Sequence, residues 1–267
     1  MQKTLLAAAA AFTLVGAGGA KAVPVDLELM FLNDVSGSIT ASDFAFQLAG
    51  YASAFRDSDL IEQIQDGAIG RIAVSIGFFA DTVSQAIPFT IIEDAASGEA
   101  FAQLVESIAR PSVGINDGLD TAIDFAAASF GDNGFEGTRL VIDVVTEGAD
   151  SGCGFSTFVC TDVQGARDDA LAAGVDQINA LLLDDRDFFG NDPADIIDAV
   201  GYAETNIIGG TGSFAVFEED FTGFASAISA KIAREVRPDP EVPPVPLPAA
   251  GWLMLAALGG VGALRRR

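Results

Sequence analysis

The feature that most narrows the fold is an alternation of short apolar runs with amphipathic stretches between residues 25 and 236. Residues 25–33, 71–80, 138–148, 175–185 and 212–218 read as strands, rich in β-branched, aromatic and leucine side chains. Residues 41–57 place Phe44, Leu48, Tyr51 and Phe55 at helical spacing, and 94–110, 115–130, 163–173, 193–203 and 220–236 read as further helices. Thr40 followed by Asp43 predicts a capping box, with aspartate in the usual place of glutamate. Strands alternating with helices imply an α/β fold: a doubly wound, mostly parallel, Rossmann-like sheet with helices on both faces. Residues 84–92 depart from this pattern. Pro88 suits an edge strand, and the short 81–83 connection makes that strand antiparallel to its neighbour.

The 267 residues suffice for one large domain or two small ones, and half of them are hydrophobic, so the core is sizeable. No internal repeat is visible. Lysine and arginine number 14 against 38 aspartates and glutamates, for a net charge of −24. That balance argues against nucleic acid and against a simple electrostatic hold on anionic lipid. It suits cations, basic partners or a salty medium. Histidine is absent, which removes Ser-His-Asp and Cys-His catalysis and every His-ligated zinc site. A site here must be built from carboxylates, hydroxyls, amides and backbone.

Both ends read as address labels. Residues 1–22 join Lys3, an apolar stretch and the small-x-small pattern Ala20-Lys21-Ala22, the form of a secretory signal peptide, with the mature chain starting near Val23. Residues 238–248 form a proline-rich spacer; residues 249–267 hold an uncharged run, Ala249 to Leu264, and then Arg265, Arg266 and Arg267. The run falls slightly short of the roughly 20 residues that span a bilayer. It suits a transient or permanent membrane anchor with its arginines on the cytoplasmic side. Between these ends, the segment from 23 to 243 keeps all 38 acids but loses five basic residues, leaving 9. Its two cysteines, Cys153 and Cys160, are expected to form a disulfide closing a short loop in an oxidising compartment.

The stretch FLNDVSGSIT, residues 31–40, ends the first strand with Asp34, Ser36 and Ser38. In open parallel sheets, ligands collect beyond the carboxyl ends of the strands. In a turn leaving a strand, alternate residues point the same way, so one carboxylate and two hydroxyls converge. That hard-oxygen set suits Mg²⁺, Mn²⁺ or Ca²⁺. The rival reading is a capped turn, in which Asp34 and the serines satisfy free backbone N–H groups and Gly37 permits the bend. The acidic stretch 182–195 lacks EF-hand spacing and reads as a solvated loop, and 130–137 reads as a turn.

Asp34-Val35-Ser36-Gly37-Ser38 resembles the first loop of the metal-ion-dependent adhesion site of von Willebrand factor type A domains. GRIAVSIGFF, RLVIDVVTEG and NIIGGTGSFAVFEEDFTGFASAI are similar to the bacterial family known as domain of unknown function 1194, a branch of that fold. The likeness spans residues 25–237. It implies an adhesion-type module at 23–237 with a divalent cation (Mg²⁺, Mn²⁺ or Ca²⁺) held by Asp34, Ser36 and Ser38. Two family positions are altered. Ile115 stands where the second loop should supply a threonine, so Asn116 or Asp117 would have to fill the gap. Glu147 stands where the third loop should supply an aspartate. Asn33 also replaces a small or acidic residue before Asp34. At the C-terminus, Val245-Pro246-Leu247-Pro248-Ala249, the apolar run and the arginines resemble a VPLPA-type PEP-CTERM sorting signal of Gram-negative bacteria, which implies processing by an exosortase-type membrane enzyme.

Together these readings anticipate a surface-directed binding module for a protein or polysaccharide partner. The alternative is a metal-free structural component of a biofilm or exopolysaccharide matrix, favoured by Ile115. A phosphatase-like aspartate at Asp34 is a third reading, weakened because Ser36 occupies the place of the usual second aspartate.

Overall fold

After a three-residue strand, β1 (Val23–Val25), the chain enters β2 (Leu27–Asp34), which is buried along its whole length. Leu27, Leu29 and Phe31 join one apolar cluster, while Met30 and Leu32 join a second on the opposite face. This is the period-2 alternation of a strand covered on both sides. The computed structural model describes residues 22–153, 158–183, 199–219 and 221–237. The chain continues through α1 (Ala41–Phe55), α2 (Ser58–Gln65), β3 (Ile72–Phe79), β4 (Val83–Ile92), α3 (Ala95–Glu106), α4 (Leu119–Ser129), β5 (Phe135–Gly137), β6 (Leu140–Thr146), α5 (Thr161–Ala172), β7 (Gln177–Leu183), α6 (Ala199–Asn206), β8 (Gly209–Gly210), β9 (Ala215–Glu218) and α7 (Phe224–Val236).

The main sheet runs β4-β3-β2-β6-β7-β8, with β9 also on β7. β2 pairs in parallel with β3 and β6, and β6 with β7. Helices α1, α2, α3 and α7 cover one face through residues such as Tyr51, Ile64, Phe101 and Phe224. Helices α4, α5 and α6 cover the other through Ile123, Val163 and Tyr202. The expected doubly wound α/β fold is therefore present. From β2 the chain crosses to β3 on one side, and from β6 it crosses to β7 on the other. The connections diverge there, leaving a crevice at the carboxyl ends of β2 and β6, where this architecture places ligands.

Several local details follow from single residues. The Thr40 capping box forms: the Asp43 N–H donates to Thr40 Oγ1 at 3.3 Å, and the Thr40 N–H donates to Asp43 Oδ2 at 2.9 Å. β4 is antiparallel to β3, and the register slips between Val74–Thr90 and Ile76–Ile87, so the missing N–H of Pro88 breaks no regular ladder. Three features differ from expectation. The helix read at 41–57 ends at Phe55, because Asp57 caps a new helix by accepting the Asp59 N–H at 2.8 Å. β1 and β5 form a separate parallel pair. β8 adds a second antiparallel pairing, on β7. Of the helix read at 193–203, residues 193–198 lie outside the described residues, as do 1–21 and everything from 238 onward. No helix among the described residues is long and apolar enough to cross a membrane.

A buried ionic cluster ties α7 to the sheet. Lys231 Nζ lies 2.6 Å from Asp143 Oδ2 on β6 and 2.6 Å from Glu235 Oε1 one turn along α7. Asn179 of β7 donates to the same Glu235 oxygen at 2.8 Å. Burial, and then the charge of Glu235, push the Asp143 carboxyl well up, against the pull of Lys231. One ammonium thus faces two carboxyl groups where all three side chains are fully buried. Lys231→Ala removes the ammonium and should cost about 3–5 kcal/mol of stability. A urea titration reads this as a lowered midpoint, and an unchanged midpoint contradicts the assignment.

Candidate metal centre

Asp34 ends β2 and is fully buried. Its Oδ1 accepts the Ser36 N–H at 2.7 Å, and its Oδ2 accepts the Thr146 hydroxyl at 3.1 Å from the end of β6. Gln47 of α1 donates to the Asp34 carbonyl at 3.1 Å. The Ser36 and Ser38 hydroxyls lie 3.1 Å apart, the first buried and the second exposed. Arg110 fastens this loop from behind. Its Nη1 donates to the Ile39 carbonyl at 2.7 Å, and its Nη2 donates to those of Val35 and Ser36 at 2.9 and 3.0 Å.

The second loop precedes α4, which starts at Leu119 rather than at residue 115 as the sequence suggested. Gly114 has φ +120° and Gly118 is the N-cap, while the Leu119 N–H donates to Asp150 Oδ2 at 2.7 Å. Residues 115–117 are therefore loop. Ile115 is 72% exposed. Its N–H donates to Asp81 Oδ2 at 2.8 Å, and its carbonyl accepts the Gly37 N–H at 3.0 Å. The Asn116 amide donates to the other Asp81 oxygen. Asp81 thus holds Asn116 at the β3–β4 turn. The carboxyl of Asp117 instead lies within hydrogen-bonding reach of Asp34 and Ser36. The backbone of Asp117 is clamped by Ser151: the Asp117 N–H donates to Ser151 Oγ at 2.9 Å, and the Ser151 N–H donates to the Asp117 carbonyl at 2.8 Å.

The third loop follows β6. Glu147 is 6% exposed and near enough for its charge to raise the Asp34 carboxyl. A Cβ on Gly148 would lie 3.1 Å from Asp117 Oδ2, so the absent side chain leaves room for that carboxylate. Two loops therefore bring Asp34 and Asp117 together with the hydroxyls of Ser36 and Ser38, and Glu147 of the third loop acts on Asp34 through its charge.

The electrostatics match this crowding. Burial raises the Asp34 carboxyl, with hydrogen bonds from Ser36 opposing. Burial and then the charge of Asp34 push Asp117 up to about 8. Two carboxyls this close and this dry retain a proton near neutral pH when no cation is bound. The donors fit a hard divalent ion: they are carboxylate and hydroxyl oxygens, and Asp117 Oδ1 is buried without a hydrogen-bond partner.

Cys153 and Cys160 form the expected disulfide, Cα–Cα 5.4 Å, beside this centre. Asp150 lies close to both sulfurs. The thiols are spent in the disulfide, however, and the Asp150 carboxylate is taken by the Leu119 and Gly152 N–H groups. That group is structural.

A family model described as "Protein of unknown function (DUF1194)" matches residues 24–240. The chain belongs to this family. No curated protein matches it in sequence. Among solved structures it is similar to proximal thread matrix protein 1 from the mussel byssus (TM-score 0.54, 14% identity, 79% of this chain and 48% of that one). A further structure of that mussel protein has a zinc-occupied MIDAS motif (TM-score 0.53, 14% identity, 80% of this chain and 48% of that one). It is also similar to a von Willebrand factor type A protein from Catenulispora acidiphila (0.52, 14%, 79% and 43%). The pilus adhesin SpaC from Lactobacillus rhamnosus GG is a third (0.53, 11%, 82% and 31%). At these identities the likeness establishes a von Willebrand A-like fold, and the chain spans about half or less of the length of these structures.

Sequence reasoning missed Thr146, Arg110, Asp81 and Ser151. Thr146 was readable as the neighbour of Glu147. Arg110 and Ser151 act through backbone groups of distant loops, and Asp81 through the Ile115 N–H and the Asn116 amide, which no motif marks.

The raised Asp117 has a consequence for stability. Its folded carboxyl keeps a proton up to about pH 8, whereas its ordinary value is 3.8. The folded state then binds more protons than the unfolded one across that window, so stability falls as pH rises through it. Without divalent cations, the melting temperature should drop between pH 6 and pH 8, and Asp117→Asn should flatten the drop. Thermal melts of both proteins with chelator check this; parallel curves contradict it.

Proposed function

We propose that this chain is an exported, surface-directed binding module that engages a protein or polysaccharide partner at the carboxyl-end rim of the sheet, through a divalent cation. The observation that carries this reading is the convergence of Asp34, Ser36, Ser38 and Asp117 from two loops at the β2–β6 crevice, with Glu147 near enough to act on Asp34 by charge. Asp117 fills the place left by Ile115, and Glu147 reaches the site from the third loop. Asn116 serves Asp81 instead. A bound ion would offset the mutual repulsion of the carboxylates. It would act as a Lewis-acidic contact point for the partner, while Arg110 and Ser151 hold the loops that present it. Support for a binding role also comes from the fold, which is shared with a byssus matrix protein and a pilus adhesin. The zinc-occupied MIDAS motif of the mussel protein supports a cation in this place.

Export rests on residues 1–22, and surface direction on the VPLPA motif with its apolar run and arginines, handled by an exosortase-type enzyme. On this reading the working domain, residues 23–237, lies outside the cytoplasm, with the C-terminal run as at least a transient membrane anchor. We read the domain as a binder rather than an enzyme, since Ser36 stands where a phosphatase-like second aspartate would be.

Calorimetric titration of the full chain with Mg²⁺, Mn²⁺ and Ca²⁺ tests the metal. At least one ion should bind, and Asp34→Ala should weaken it at least about tenfold by removing a buried ligand charge. No heat with any ion would favour the second reading, a metal-free structural component of a matrix. Ile115, apolar and largely exposed beside Gly37, is the residue that favours that alternative.

A further inference from the structure

Basic side chains are scarce in this chain, 14 against 38 acids, and those in the described residues are spent with one exception. Arg56 pairs with Glu99 and Glu106, and Arg71 with Glu93. Arg110, Arg139 and Arg167 donate to backbone carbonyls, and Arg237 donates to Gln63. Lys231 serves Asp143 and Glu235. Arg234 alone among the described basic residues makes no hydrogen bond and no ion pair. Its position is held all the same: the guanidinium carbon lies 3.6 Å from the centroid of the Phe214 ring. That ring is itself fixed, being 8% exposed, with the Phe214 N–H donating to Asn179 Oδ1 at 3.1 Å. Where acids are so abundant, an anchored arginine without one keeps its forked N–H edge for an acceptor from outside.

Arg234 borders a groove of about 410 Å³ between β9 and α7. Val216, Ala227 and Ala230 give it an apolar lining. Phe214 and Arg234 stand toward one end, before β9 and late in α7, and Glu218 stands toward the other, where β9 stops. The other polar groups on the groove are occupied: the Ser226 hydroxyl donates to the Gly223 carbonyl at 2.8 Å, and Lys231 faces its two acids.

We propose that this groove is a further binding site, which takes an extended peptide through a single acidic side chain flanked by aliphatic residues. Arg234 meets the carboxylate through paired, charge-assisted N–H donors, and the lining of Val216, Ala227 and Ala230 buries the aliphatic neighbours. A C-terminal carboxylate fits less well, because such groups are captured by nests of backbone N–H groups, and this groove lies between the side of a helix and a strand. A polysaccharide fits less well on two counts. Its hydroxyls would lose water against an apolar lining with no free partner. The repeated carboxylates of an acidic polysaccharide would also bring a second negative charge toward Glu218. The site lies apart from the Asp34 centre and does not depend on the cation reading.

The test uses the full chain with excess chelator, so that no divalent ion takes part, and ligand-observed NMR. The probes are acetyl-Leu-Glu-Leu-amide, its Leu-Gln-Leu counterpart, that counterpart with a free C-terminus, and trigalacturonate. Wild type should bind the glutamate peptide at least about tenfold more tightly than any of the others. Arg234→Gln should abolish that preference, and Arg234→Lys, which keeps the charge without the fork, should fall between. Arg234 is exposed, so both variants should melt as wild type does. The inference is overturned if wild type binds none of the probes, if any other probe matches the glutamate peptide, or if Arg234→Gln keeps the preference.

Discussion

A carboxyl group that is fully buried must be hydrogen-bonded, paired or protonated, and Asp34 is the group on which this constraint falls. It is the last residue of the central strand, and everything around it meets its needs. Ser36 supplies a backbone N–H, Thr146 supplies a hydroxyl from the neighbouring strand, and Asp117 closes over it from the second loop. The sheet does the positioning. β2 and β6 are neighbours whose outgoing connections part in opposite directions, which opens a crevice at their carboxyl ends. The chain places buried, mutually repelling acids at the edge of that gap.

The buried Lys231 cluster handles the same problem differently. There Asp143 and Glu235 receive an ammonium from within the chain, and the three side chains lock α7 against β6 while Asn179 ties in β7. At the rim no lysine or arginine side chain plays that part for Asp34 among the described residues, because Arg110 faces the carbonyls. One acid cluster has a cation of its own and serves the fold. The other depends on a proton or an external cation.

Much of the fold could be read from the chain because its signals are local. The alternation in β2, Pro88 at a sheet edge, the Thr40–Asp43 pair and the short cysteine spacing each act within a few residues. Elements that depend on distant partners were not legible. β1 and β5 are three residues each and pair across more than a hundred residues of chain. β8 is two glycines with no side chain to carry a pattern. The site shows the same division. Asp34, Ser36 and Ser38 belong to one motif, and their grouping was visible. The choice between Asn116 and Asp117 was not, because Asp81, on another connection, makes it by capturing the asparagine. The start of α4 moved for a similar reason, with Asp150 supplying the N-terminal bond at Leu119.

The two borders of the main sheet bear on how copies of this protein can associate. On one border, β4 carries a proline and two slips of register. On the other, the outer side of β7 is shared between a two-residue strand and a four-residue one. Interruptions of this kind deny an incoming chain a straight row of N–H and C=O groups. Where copies crowd together, the borders of this sheet do not favour strand-to-strand pairing between them. Any cohesion among them would have to run through side chains, bridging ions or a third component, and it would come undone without unravelling a single strand.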